Sequence, residues 1–233
     1  MLHQKIKMTK TRRERIREET FKEIKQIARR QLAEGGAMGI SLRAIAREMG
    51  MSAPGLYNYF ANYDELITAL VMDAFDSMAD ALEAARDAHD VGDHVSRFQA
   101  VVNTYRQWAL DHRHEYLLIF GAPNVNAPVE TIASAAKRNW RVILEVLSAA
   151  AGDGHLRIPT QFDEPSPIYE QIQQEWQTLY RIEVSVPVLH TAVKVWGLFH
   201  GFVMLELTQR QPEMLRQAHE LELQLLMKEI GLF

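Results

Sequence analysis

Residues 41–70, SLRAIAREMGMSAPGLYNYFANYDELITAL, leave the backbone little choice of local structure. Ser41 can cap a helix by accepting an orphan backbone N–H. Leu42, Ile45, Ala46 and Met49 then recur at i, i+3, i+4 and i+7, one apolar face, with Arg43 and Arg47 on the other side. Gly50 permits the left-handed backbone that ends a helix. Ser52 caps a second helix, and Pro54 sits in its first turn, where N–H groups lack partners anyway. Gly55 costs roughly 1 kcal/mol against alanine inside a helix. Close approach of another surface, such as a DNA backbone, is one reason to keep it. Asn62 with Glu65 three residues later resembles a capping box and starts the next helix. Two short helices, a glycine turn and a longer helix outline a helix-turn-helix, which sets its second helix in the major groove.

The net charge of −4 argues by itself against a polyanionic partner. Its distribution reverses that. Residues 1–60 hold thirteen Lys/Arg against six Asp/Glu, and residues 61–233 hold thirteen against twenty-four. Halves of opposite sign suggest that only the N-terminal part meets nucleic acid. Lys5, Lys7, Lys10, Arg12, Arg13, Arg15 and Arg17 could contact phosphates or enter the minor groove. For Arg15 and Arg17, pairing with Glu14, Glu18 and Glu19 on a solvated helix face is as good an account. With no cysteine there is no disulfide, thiolate metal site or cysteine nucleophile, which suits a reducing cytoplasm. No apolar run approaches the ~20 residues that span a bilayer, and the basic N-terminus lacks the apolar stretch of a secretory signal.

Helical periodicity dominates throughout, so the expected fold is all-α. Residues 1–10 read as a mobile basic arm, followed by a helix at 11–34 with Ile24, Ile27, Ala28 and Leu32 inward. The helix-turn-helix domain closes at 62, and 63–88 is a connecting helix. A second domain, 89–233, has helices expected at 93–112, 114–120, 128–150, 168–182, 186–208 and 212–230. Loops are expected at 121–128 and 152–167.

Ser52, the run Tyr57-Asn58-Tyr59-Phe60 and the helix start Asp64-Glu65-Leu66 resemble the N-terminal domain of the tetracycline-repressor (TetR) family of bacterial transcription regulators. Many members carry a lysine just after the Phe; here Ala61, Asn62 and Tyr63 follow, so that phosphate contact is either missing or supplied by Asn62 or Tyr63. The segment Trp196-Gly197-Leu198-Phe199-His200-Gly201 also resembles the "WHG" type of TetR C-terminal domain. The resemblance implies a DNA-binding surface of Ser41, Arg43, Ser52, Ala53, Gly55, Tyr57, Asn58 and Tyr59. Tyr59 and Ser41 would serve phosphates, Tyr57 phosphate or base, and Arg43 either.

It implies further a homodimer through the last two helices, with recognition helices about 34 Å apart on a palindromic double-stranded operator. Met214, Ala218, Leu221 and Leu225 step 4, 3, 4 as a packing seam, with Leu223, Leu226 and Ile230 as added apolar surface. Gly197 and Gly201 would bring one helix face close to a neighbour, in another subunit or in the same one. The second domain should hold a small-molecule effector, with Trp108, Tyr116, Phe120, Trp140 and His200 as the first candidates. His112, Asn139, Gln173 and Tyr180 are further polar candidates. For most of these aromatics ordinary core is the plainer account.

His89, His94, His112 and His114 lack metal-ligand spacing and read as surface histidines. No catalytic motif or phosphate-cradling loop is present, so neither an enzyme nor a cofactor is expected. The function expected is a ligand-responsive regulator, most often a repressor, with the connecting helix as transmitter. Two rivals are a non-specific architectural DNA binder and a small-molecule-binding protein with a vestigial helix-turn-helix.

Overall fold

A computed structural model describes residues 11–121, 129–157, 167–208 and 212–233. The basic arm expected at 1–10, nearly all of the loop at 121–128 and most of the one at 152–167 lie outside these residues. The described residues form ten α-helices, one short 3-10 turn and no strand, the all-α class expected. They divide into two compact units, the boundary falling between Leu70 and Val71.

The first unit opens with α1, Arg12–Gly35. Thr11 and Glu14 cap it reciprocally: Glu14 N–H donates to Thr11 Oγ1 at 3.2 Å, and Thr11 N–H donates to Glu14 Oε2 at 2.8 Å. Ile24, Ile27, Ala28 and Leu32 are its buried stripe. Helices α2, Leu42–Glu48, and α3, Ala53–Tyr57, follow, and then α4, Tyr63–Asp87, whose first turns belong to this unit. Gly50, at φ 65°, closes α2 by letting Met51 N–H reach Ala46 C=O at 2.8 Å and Gly50 N–H reach Arg47 C=O at 3.2 Å. Ile45, Leu56, Phe60, Leu66 and Ile67 are buried here. Each such side chain contributes about 1.5–3 kcal/mol.

The second unit contains the rest of α4 with α5, His94–Asp111; α6, Arg113–Phe120; α7, Val129–Gly152; α8, Pro167–Tyr180; α9, Val186–Thr208; and α10, Pro212–Ile230. Helix α9 is central and packs on α5, α7, α8 and α10. Its 23 residues are long and apolar enough to cross a membrane, contrary to the sequence expectation. The reason is a helix apolar on more than one side. Val188, Leu189, Ala192, Val195, Phe199 and Val203 are buried in the unit, while Trp196 and Leu205 stay partly exposed.

Helix α10 corrects another expectation. Leu223, Leu226 and Ile230 do not extend the seam; they are buried against the unit's own core, while Met214, Leu221 and Leu225 remain exposed. The helix ends at Gly231, where φ is 87° and an added Cβ would lie 2.8 Å from His155 C=O. This close approach lets Arg157 N–H donate to Ile230 C=O at 2.7 Å.

His94 is likewise not a surface residue. It is 5% exposed, and its Nε2 lies 2.8 Å from Asp153 Oδ2. Arg106 on α5 forms a buried two-pronged pair with Glu206 on α9, its Nε donating to Oε2 at 2.8 Å. His219 is buried nearby against Phe199 and Phe202. Burial lowers the pKa of His219, His200 and His190 below their ordinary 6.5. The unfolded rings take up protons near 6.5, while the folded rings resist until lower pH. Stability is therefore full above about pH 6.5 and is lost as pH falls through the folded values. The thermal midpoint should drop between about pH 7.5 and pH 5.5, and His219→Leu should flatten that drop. A midpoint flat across this range would contradict the burial of these rings.

Candidate nucleic-acid interface and candidate ligand cavity

In the first unit, Ser41 is the N-cap of α2, accepting from Ala44 N–H at 3.3 Å, and its own N–H donates to Gln31 Oε1 of α1 at 2.9 Å. Ser52 is the N-cap of α3 and accepts from Gly55 N–H at 3.2 Å. A Cβ on Gly55 would stand 3.2 Å from Ser52 Oγ, so the cap itself gives this glycine a local reason. Ser41, Arg43, Ser52, Tyr57 and Asn58 are exposed, and Ala53, Gly55 and Tyr59 are half-buried. An exposed Tyr57, 44% accessible, at the end of a helix whose other face holds buried Leu56, has no packing account within the unit.

Tyr59 is oriented from α1. Its ring meets Phe21 edge-on at 5.1 Å, and the Arg17 guanidinium lies 5.5 Å from its centroid. Arg17 also donates to Asn58 C=O at 3.4 Å. These supports, Arg17, Phe21 and Gln31, were not singled out as positioning residues by the sequence; Arg17 alone carried a signal, as part of the basic cluster. Of the two residues named for the lysine's phosphate contact, Tyr63 donates its O–H to Ala37 C=O at 2.6 Å. Asn62 Oδ1 accepts from Glu65 N–H at 2.8 Å, and Glu65 reaches back to Ala61 N–H rather than to Asn62.

The second unit encloses a cavity of about 360 Å³. That lies within the range of small-molecule sites. Helices α4, α5, α6, α7 and α9 contribute Phe75, Met78, Tyr105, Phe120, Asn139, Trp140, Trp196 and Phe199, among others, and Tyr180 closes α8. Of the five ligand candidates, Phe120 and Trp140 line it. Trp108 does not: it is buried, stacks on His112, and its indole N–H donates to Ser77 Oγ at 3.2 Å. Tyr116 and His200 are also outside the lining. They form a cluster with Tyr105, which does line it. The hydroxyls of Tyr105 and Tyr116 are 2.8 Å apart, and His200 Nδ1 lies 2.7 Å from Tyr116 and 3.2 Å from Tyr105. Burial raises both tyrosine pKa values and lowers that of His200, so the cluster is neutral.

Among the polar candidates, Asn139 and Tyr180 line the cavity; Gln173 donates to Val184 C=O instead. Tyr105 and Trp196 are lining residues that were not among the first candidates. Trp196 carried a signal only as the first residue of the Trp196–Gly201 segment, and Tyr105 carried none. Trp196 stacks on His200 at 4.8 Å and meets Trp140 at 5.5 Å.

Two family descriptions match the chain: "Bacterial regulatory proteins, tetR family" over residues 25–70, and "Tetracyclin repressor-like, C-terminal domain" over residues 98–227. The HTH-type transcriptional regulator Rv1816 of Mycobacterium tuberculosis is 33% identical over 170 residues, 71% of this chain and 72% of the relative. The candidate regulatory protein SCO4313, known from a crystal structure, is 34% identical, with a TM-score of 0.74 over 94% of this chain and 100% of its own. AibR, solved with isovaleryl coenzyme A and operator DNA, shares the fold at 18% identity and a TM-score of 0.57, over 88% of this chain and 96% of its own. The matched regions hold both the helix-turn-helix and the cavity helices α5 to α9. This chain belongs to the tetR family of bacterial regulatory proteins, a family of DNA-binding transcription regulators and not a class of enzymes.

Proposed function

We propose that this regulator binds a palindromic operator as a homodimer and is released from it by a small molecule held in the α4–α9 cavity, acting most simply as a cytoplasmic repressor. The observation that carries the DNA reading is the exposed edge of α2 and α3, capped by Ser41 and Ser52 and braced from α1. Ser52, Ala53, Gly55, Tyr57 and Asn58 would face base edges, since a recognition helix presents its N-terminal part and its outer side to the groove. Ser41 and Tyr59 would hold phosphates, and Arg43 either group. The two units correspond to a DNA-binding domain and a domain for ligand and dimer. AibR, with ligand and operator in one crystal, supports this division by analogy of fold.

The dimer reading is supported by the outer face of α9 and α10. A Cβ on Gly197 or Gly201 would meet nothing within 4 Å among the described residues, so packing against these residues does not explain the glycines. Met214, Leu221, Leu225 and Leu205 are exposed on the same two helices. In the mechanism, ligand and operator oppose each other. A ligand preferring a conformer with misplaced recognition helices weakens operator binding, and the operator weakens ligand binding by the same factor.

Selection of duplex DNA from a random pool at near-physiological salt tests this. Enrichment of one palindrome is expected. Retention of DNA without enrichment would favour an architectural role. On the selected site, Tyr57→Ala should weaken binding about tenfold or more while leaving the melting temperature unchanged, since a groove contact of this kind is worth about 1–3 kcal/mol. Unchanged affinity would remove Tyr57 from the reading surface.

A further inference from the structure

Arg17 joins α1 to the end of the reading helix. Its Nη2 donates to the carbonyl of Asn58, the C-cap of α3, at 3.4 Å. Its guanidinium carbon lies 5.3 Å from the centroid of the Phe21 ring and 5.5 Å from that of Tyr59. These two rings meet edge-on at 5.1 Å, and Phe21 also meets the buried Phe60 at 5.3 Å. The cation therefore rests on an aromatic platform anchored in the core. Glu14, one turn before it on the helix, is turned to Thr11, whose N–H and O–H both donate to its Oε2.

A free surface arginine loses much rotamer freedom when it takes hold of a ligand. Here the rings and the carbonyl have already ordered the side chain. A guanidinium presents only N–H donors, all in one plane, and no acceptor. One of them is engaged at Asn58, while the side chain stays exposed. A preordered, solvent-facing fork of donors fits a phosphate in both charge and shape. The position supplies one. A reading helix lies in the major groove, whose edges are rows of phosphates. Arg17 stands at the C-terminal end of α3, beside the exposed Asn58.

We propose that Arg17 holds a phosphate of the DNA backbone while keeping its bond to Asn58 C=O, so that one side chain ties the DNA strand to the end of the reading helix. The proposal rests on reading α3 as the recognition helix. It adds a residue of α1 to the interface and gives it a sequence-independent role, since phosphates carry no base identity.

The test measures affinity against salt concentration for wild type, Arg17→Gln and Arg17→Lys, on the selected operator and on a duplex of unrelated sequence. Loss of one phosphate contact makes the slope of log affinity against log salt shallower by about 0.9 for each subunit bound. Arg17→Gln is expected to show that change on both duplexes and to weaken both by a similar factor, about tenfold for two bound subunits. Arg17→Lys, which keeps the charge, should restore the slope. Both variants should melt with wild type, because the side chain is exposed. If Arg17→Gln binds as wild type does, the proposal is overturned. If it weakens the operator alone and leaves the slope intact, Arg17 only braces the reading helix; the proposal is overturned and recognition by α3 stands. The unrelated duplex tests the phosphate contact even where selection finds no palindrome. Wild type that binds neither duplex would overturn the proposal and the DNA reading together.

Discussion

Leucine at both Gly197 and Gly201 is expected to yield a folded monomer that no longer holds its operator. Within one subunit an added Cβ at either position meets nothing within 4 Å among the described residues, so the backbone accepts a side chain there, and leucine favours a helix over glycine by roughly 1 kcal/mol per site. If α9 served only its own chain, the variant would gain stability and keep its oligomeric state. If the glycines let two copies of α9 and α10 approach closely, two leucines per chain fill the gap and force the copies apart. Two tethered reading heads gain about 10²–10⁴ in affinity over one, and that gain would vanish with the dimer. Sedimentation velocity gives the oligomeric state, and titration of the selected palindrome gives the affinity. A variant that stays dimeric and binds normally would move the interface elsewhere.

Arg106→Leu should unfold the second unit far more readily than its modest change in size suggests. Glu206, its partner on α9, has a side chain only 5% exposed. Stripped of Arg106, that carboxylate stays buried without its cation, a loss of about 3–5 kcal/mol. For a chain of this size that is roughly a ten-degree fall in melting temperature. The double variant Arg106→Leu with Glu206→Leu should recover most of the loss, because well-packed apolar pairs often match buried ion pairs. His219 supplies a second check. After burial, Arg106 is the strongest influence lowering its pKa, and Glu206 opposes it. Without Arg106 the ring protonates more readily and can partly replace the lost cation, so the deficit should narrow as pH falls. Scans of the three variants at two pH values test both statements. Equal melting of wild type and Arg106→Leu would mean that Glu206 reaches water.

Helix boundaries were legible in the sequence because the signals are local. Ser41, Ser52, Gly50 and Gly231 sit at helix ends where their chemistry puts them. Depth was not legible, because periodicity says which way a residue faces and not what lies opposite. Trp108 and Trp196 look alike in sequence, yet one lies against Ser77 and the other lines the cavity. His94 is buried and pairs with Asp153, 59 residues further on, a pairing that no local window contains. On α10 the leucines at 221 and 225 face out while those at 223 and 226 face in, and only the packing of α9 against α10 tells the two rows apart.

Arg138 on α7 meets Asp76, Asp80 and Glu83 on α4, carboxylates spaced close to one helical turn apart. Such an arrangement resists separation of the two helices but resists sliding much less. Were α4 to move lengthwise by one turn, about 5.4 Å, the guanidinium would leave one rung of this ladder and find the next. The charge pairing is therefore nearly indifferent to the axial register of α4. What distinguishes one register from another is the fit of the buried apolar side chains of α4, Phe75, Met78 and Leu82, which differ in size from the residues one turn along. The helix that begins in the first unit is thus guided by a rail of charge and held in place by the shape of its apolar face.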